Sequence, residues 1–235
     1  MSRKAKFSTT RLIMLSFIAA ILVGSLLLWL PVSAADGVSV SYIDALFTAT
    51  TATCVTGLVT LTTATAWSGF GQAVILILIQ LGGLGIITVM AGIAAAVNRR
   101  LGLSDRMLLQ DAFNLNSLSG LSEFVKKVIK GTFLVEGAGA LAYMTVFVPD
   151  FGLKGIWISL FTSVSAFCNA GFDVFGAVAP GASMMLFQKD AIVCITLMLL
   201  IAVGGLGFFV WEELARVRNF KKLSVYEETE SLEKY

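Results

Sequence analysis

LFTATTATCVTG, residues Leu46–Gly57, returns 114 positions later as LFTSVSAFCNAG, residues Leu160–Gly171. Leu46/Leu160, Phe47/Phe161, Thr48/Thr162, Ala52/Ala166, Cys54/Cys168 and Gly57/Gly171 are identical without a gap. A second echo follows each copy, GGLG at Gly82–Gly85 and again at Gly204–Gly207. Self-similarity at a fixed offset governs architecture before any local pattern does. A short uncharged segment ending in Gly, duplicated between apolar stretches, predicts a structure built symmetrically about an axis.

The surroundings of the repeat are those of a membrane protein. The chain is 57% apolar and 14% charged, with a mean hydropathy of +0.87. Soluble domains average about 45–50% apolar and roughly 25% charged residues. Histidine is absent, which removes the usual general base and the commonest metal ligand. Ser–His and Cys–His catalytic pairs are thereby excluded, and the chain reads as a non-enzyme with no cofactor. Cys54, Cys168 and Cys194 show no CxxC spacing, so zinc binding and a disulfide framework are disfavoured and small buried residues are expected.

Four stretches approach the roughly 20 apolar residues a bilayer core demands: Leu12–Leu30, Ala73–Val97, Val128–Val148 and Ala191–Trp211. Of the 17 Lys and Arg, 15 fall on one side, in the termini, in the loop between spans two and three or, for Lys130, at the start of span three, which leaves only Lys154 and Lys189 opposite. The positive-inside rule makes that basic side cytoplasmic, with both termini inside and both repeated segments outside, at the plasma membrane. Val32-Ser33-Ala34 before Ala35 mimics a signal-peptidase site. The apolar run before it, however, exceeds the usual h-region of about 7–15 residues, and the first copy of the repeat needs a span ahead of it, so retention is expected.

Tyr42–Thr51 and Ile156–Phe167 are too short to cross a bilayer, and their flanks already lie outside. They are read as re-entrant segments, because irregular backbone at membrane depth survives only inside protein or along a water-filled cavity. The unit is then helix, short pore helix, extended strand, helix, occurring twice in an all-α polytopic protein. The expected divisions are residues 1–100 and 128–215 for the two repeats, 101–127 for a cytoplasmic interfacial linker helix and 216–235 for a cytoplasmic tail. A filter replaces an ion's water with rings of backbone carbonyls, against a desolvation cost of order 20 kcal/mol by Born-type estimates. Gly57 and Gly171 would supply dihedrals closed to other residues, and a short helix would aim its partly negative C-terminus at a cation. The alternative for either glycine alone is an ordinary extracellular turn; two copies in register favour the filter.

TATCVTGL (Thr51–Leu58) with QLGGLGI (Gln80–Ile86), and SAFCNAGFD (Ser165–Asp173) with VGGLG (Val203–Gly207), resemble the Trk/Ktr/HKT family of potassium transporters, most closely the KtrB type of membrane subunit. The likeness covers roughly residues 10–224. It implies a fold of four helix–pore–helix repeats around one pseudo-fourfold pore. The ion-binding filter positions are then Thr53, Cys54, Val55, Thr56 and Gly57 in the first repeat and Cys168, Asn169, Ala170 and Gly171 in the second, with potassium as the bound ion and sodium as a candidate coupling ion. It also implies a homodimer and a cytoplasmic nucleotide-binding regulatory subunit like KtrA; nothing in the basic ends suggests nucleic acid. Four strands make such a filter and two are present, so the chain reads as the N-terminal half, the rest being supplied by a missing half or by a second copy. Two rival readings stay open, a non-conducting fragment or assembly subunit and a small cation secondary transporter with broken helices.

Other residues are read as structural. Glu136, in mid-span, is expected to bond pore-loop backbone rather than line an ion path. The GGLG motifs are expected to permit close packing, with a gate hinge as the alternative. Leu103–Phe124 reads as an interfacial helix opened by Ser104-Asp105. Asp36, Asp44, Asp150, Asp173 and Asp190 are outside, either solvated or concentrating cations at a mouth. Gly at both filter positions matches the potassium-selective members of the family. Gly57→Ser in an assembled pore should therefore raise sodium permeation, and unchanged potassium-to-sodium ratios in flux assays would contradict this.

Overall fold

The computed structural model describes residues 9–85, 88, 121–177, 183–207 and 210–211. Their regular secondary structure is helical, and among these residues the extended pairing is one isolated bridge between Ala34 and Trp67. The 103–124 helix expected between the repeats falls almost wholly outside them, as do the 216–235 tail and the bases at residues 99, 100 and 106.

The first repeat runs from α1 (Thr9–Trp29) to α4 (Gly69–Leu84). Leu30, forced to extended dihedrals by the proline that follows, ends α1, and a 3-10 turn at Pro31–Ser33 leads outward. Ser33 and Ala35 then bond the chain entering α4: the Ser68 N–H donates to the Ser33 carbonyl and the Ala35 N–H to the Ala66 carbonyl, both at 2.9 Å. Trp67, 1% exposed, lies beneath this stitch. Between the two long helices sit α2 (Tyr42–Thr53) and the single turn α3 (Thr63–Ala66). Ser41 caps α2 by accepting from the Asp44 N–H at 3.1 Å, while its own hydroxyl donates to the Asp44 carboxylate at 2.6 Å. The first of these satisfies one of the backbone N–H groups that a helix start leaves orphaned.

The second repeat follows the same plan with α5 (Leu121–Phe151), α6 (Leu153–Phe167) and α7 (Ala191–Gly205). α5 begins at Leu121, not at Val128, so Lys126, Lys127 and Lys130 are helical. Its 31 residues give a length of about 46 Å at 1.5 Å per residue. Val125–Phe151 is the helix among the described residues that is long and apolar enough to cross a membrane by itself; Ile13–Trp29, Gly69–Leu84 and Ala191–Gly205 are shorter apolar helices. Gly152, at φ +60°, reverses the chain from α5 into α6, and Gly155 then lies so close to α5 that a Cβ would strike the Phe147 carbonyl. Phe147, Phe151, Phe175 and Phe187 form an aromatic cluster where α5 turns into α6, with Phe147 and Phe187 centroids 4.9 Å apart. Such pairs add about 0.5–1.5 kcal/mol each beyond their burial. The outer faces of α1 and α7 stay apolar and exposed, at Met14, Ile18, Val23, Ile195, Met198 and Leu199 among others.

The second and fourth expected spans are not continuous. α4 stops at Leu84 because Gly85 takes φ +79°, and α7 stops at Gly205, with Gly207 at φ +80°. Left-handed dihedrals end a helix, and Gly reaches them without the steric cost other residues meet. The break below α7 frees the Val203 carbonyl, and the Trp211 indole N–H donates to it at 2.9 Å.

The paired glycines ahead of each break are packing positions. A Cβ on Gly82 would strike the Thr53 carbonyl, and one on Gly204 the Phe167 carbonyl. Thr53 and Phe167 are themselves partners under the 114-residue offset, so each long helix meets its short helix at the same point. Gly204→Ala should destabilise the protein by about 1–3 kcal/mol through overpacking. Gly137→Ala, where a Cβ meets nothing within 4 Å, should be neutral or better; thermal unfolding of the two variants in detergent compares them.

Candidate site at the ends of the two short helices

The residues following α2 and α6 form one structure twice. Cys54 and Cys168 cap the helices, donating to the Thr50 and Val164 carbonyls at 2.8 and 2.9 Å. The next N–H groups reach back in the same pattern, Val55 to Ala52 and Asn169 to Ala166, at 3.3 and 3.0 Å. The Thr56 and Ala170 N–H groups then close six-residue loops onto Thr51 and Ser165, at 2.9 and 2.7 Å. This pair of bonds is the Schellman ending of a helix, which calls for a left-handed residue at its centre. Val55 takes φ +55° and Asn169 φ +58°, and Gly57 and Gly171 follow at +78° and +72°.

The sequence reading placed the unusual dihedrals at the two glycines and missed Val55 and Asn169. Asparagine visits the left-handed region readily, so Asn169 carried a signal. Val55 carried none: a β-branched residue there is strained by about 1–3 kcal/mol, and only the surrounding bonds hold it.

The hydroxyl of the residue three before each cysteine staples the strand beyond the turn. Thr51 Oγ1 accepts from the Leu58 N–H at 3.0 Å, and Ser165 Oγ donates to the Phe172 carbonyl at 2.6 Å. Among the described residues, no hydrogen bond ends on the carbonyls of Cys54, Val55, Thr56 and Gly57, or on those of Cys168, Asn169, Ala170 and Gly171. The sequence-predicted Thr53 differs from these: its hydroxyl donates to the Ala49 carbonyl at 2.7 Å, it is the last residue of α2, and its carbonyl lies against Gly82.

The two turns touch. The Cα atom of Gly171 lies 3.3 Å from where a Gly57 Cβ would stand, and the Ala170 oxygen 2.5 Å from it. A side chain at position 57 would therefore meet both a left-handed backbone and a neighbouring carbonyl.

Glu136 is buried beside this site, but its partner is not the pore-loop backbone expected from the sequence. Its carboxylate oxygens accept from the Gln80 side-chain amide at 2.9 and 3.1 Å, while its backbone carbonyl accepts from Ser163 of α6 at 2.6 Å. The acidic residues near the outer loops serve local structure. Asp190 caps α7 by accepting from the Val193 N–H at 2.9 Å, and Asp173 accepts from the Phe175 N–H at 3.2 Å. Burial nevertheless pushes the Asp173 carboxyl above the usual carboxylate range, whereas the Ser41 and Thr60 hydroxyls hold Asp44 below it.

The whole length of this arrangement matches one known group of proteins. The family model described as TrkH, cation transport protein, matches residues 4–233. The chain belongs to the TrkH family. It is 39% identical over 224 residues to the potassium/sodium uptake protein NtpJ of Enterococcus hirae, covering 95% of this chain and 49% of that one. It is 36% identical to the Ktr system potassium uptake protein B of Bacillus subtilis and 38% identical to that of Vibrio alginolyticus, covering 94% and 88% of this chain and 48% and 44% of those. The chain thus spans about half the length of the curated relatives it matches. Family membership and the helical architecture make it a membrane protein of a family described as cation transport proteins.

Cys54 is exposed and Cys168 buried, although the two occupy the same place in their turns. A maleimide applied to the purified chain should modify Cys54 much faster than Cys168, as read by peptide mass spectrometry. Equal rates would mean that the second turn is open.

Proposed function

We propose that the chain supplies two of the four strands of a potassium-selective filter, through which potassium enters the cell. The observation that carries this reading is the run of four carbonyls in each turn, Cys54–Gly57 and Cys168–Gly171, on which no hydrogen bond ends among the described residues. A backbone carbonyl is a strong acceptor, and a dehydrated cation is a ligand that such a group suits. The left-handed residues and the Schellman bonds turn the chain sharply at each helix end while using the N–H groups, which leaves oxygens to face the ion. Each short helix adds the partly negative end of its dipole.

Potassium rather than sodium is favoured by Gly57 and Gly171. The names of the relatives, potassium uptake proteins of Ktr systems and a potassium/sodium uptake protein, support transport of that ion class. A closed ring needs two more strands, from the other half of such a transporter or from a second copy of this chain. The assembly is a dimer in the plasma membrane with both termini cytoplasmic, served by a nucleotide-binding subunit on that side, and sodium is the candidate coupling ion.

Expression of the 235 residues in a bacterium lacking potassium uptake, on low potassium, separates the possibilities. Growth with this chain alone requires self-assembly into a four-strand pore. Growth only when the second half of a relative is co-expressed assigns it half of a pore. Failure of both, with the chain present in the membrane, overturns the reading.

A further inference from the structure

Behind the second turn lies a polar chain that carbonyl coordination does not use. Glu136 is 3% exposed, and both its oxygens hold the Gln80 amide nitrogen. The Gln80 carbonyl oxygen in turn faces the Cys168 thiol at 3.8 Å. Gly83, nearly one turn further along α4, lies against the same cysteine, since a Cβ there would stand 2.5 Å from its sulfur. A helix of the first repeat therefore grips the turn of the second at two successive points. Cys168 is the residue at which α6 ends and the four donor-free carbonyls begin.

This is where the two repeats part company. In the register of the GGLG motifs the partner of Gln80 is Ala202, and Cys54 is exposed. Helix packing alone requires neither polar group, and a carboxylate in mid-span costs about 2.5–3.5 kcal/mol on insertion scales. What the carboxylate adds is direction. A primary amide can present its oxygen or its nitrogen to a neighbour, and here it is the nitrogen that donates to both oxygens of the Glu136 carboxyl group. Glu136 draws the nitrogen of Gln80 toward itself, which leaves the oxygen for the Cys168 thiol.

We propose that Gln80 and Glu136 are positioning residues for ion discrimination: Glu136 orients the Gln80 amide, and the amide holds the Cys168 turn, so that its carbonyls keep the spacing that suits the transported cation. This rests on the filter reading above. Three variants of the full chain test it. Gln80→Leu removes the link, Glu136→Gln lets the amide turn over, and Gln80→Glu combined with Glu136→Gln restores an amide–carboxylate pair with the roles exchanged. The first readout is maleimide modification of Cys168 in detergent, with Cys54 as internal reference, and it does not depend on transport. The second is the rubidium-to-sodium uptake ratio in cells that make the chain together with the second half of a relative.

Both single variants should speed modification of Cys168 about tenfold, the equivalent of one hydrogen bond, and lower the uptake ratio. The double variant should recover most of both, the signature of direct coupling. Cys168 as protected in Gln80→Leu as in the unsubstituted chain overturns the proposal, and so does a double variant no better than the singles. Faster modification with an unchanged uptake ratio leaves the pair a purely structural link and overturns its part in discrimination. If the unsubstituted chain gives no uptake at all, the filter reading fails with it, while the thiol readout still decides whether Gln80 holds the turn.

Discussion

Among the described residues no hydrogen bond ends on the carbonyls of Cys54–Gly57 or of Cys168–Gly171, a run of four in each turn. The bonds around these carbonyls satisfy the rest of the local backbone. The N–H groups of Cys54, Val55 and Thr56, and of their counterparts, are spent inward on the helix that precedes them. The hydroxyls of Thr51 and Ser165 fix the strand that follows. A left-handed valine is tolerated because three backbone bonds in succession leave it no other course.

The same constraint sets the composition of the long helices. The last carbonyls of α2 and α6 must be covered closely by something without a side chain, and Gly82 and Gly204 do this in both repeats. The glycine at the end of each motif then breaks the helix in the left-handed region. A single four-residue motif thus performs two distinct tasks, close approach at its start and termination at its end. Packing was the expected role; the termination was not.

Much of the fold was legible because it is repeated. Six identities at a fixed offset identified the short helices and both cysteine turns, and the apolar runs located the four long helices. The sequence could not show that α4 and α7 stop short, since Gly85 and Gly207 stand inside runs apolar enough to continue. Of the candidate site, the glycines were readable from their type, but Val55 was hidden, because its dihedrals come from bonds to Thr51 and Ala52 and not from any preference of valine. Glu136 stood out as a mid-span charge. Its partner Gln80 lies 56 positions away, a pairing that only packing of α4 against α5 and α6 creates.

The grip of α4 on Cys168 has a direction. It joins the back of one repeat to the front of the next, using different surfaces on the two sides. Contacts of this heterologous kind, when propagated, close into rings or wind into open helices; they do not make face-to-face pairs. In the ring of four strands proposed above, one cysteine and the helix that rests on it would set the order of these two repeats around the axis.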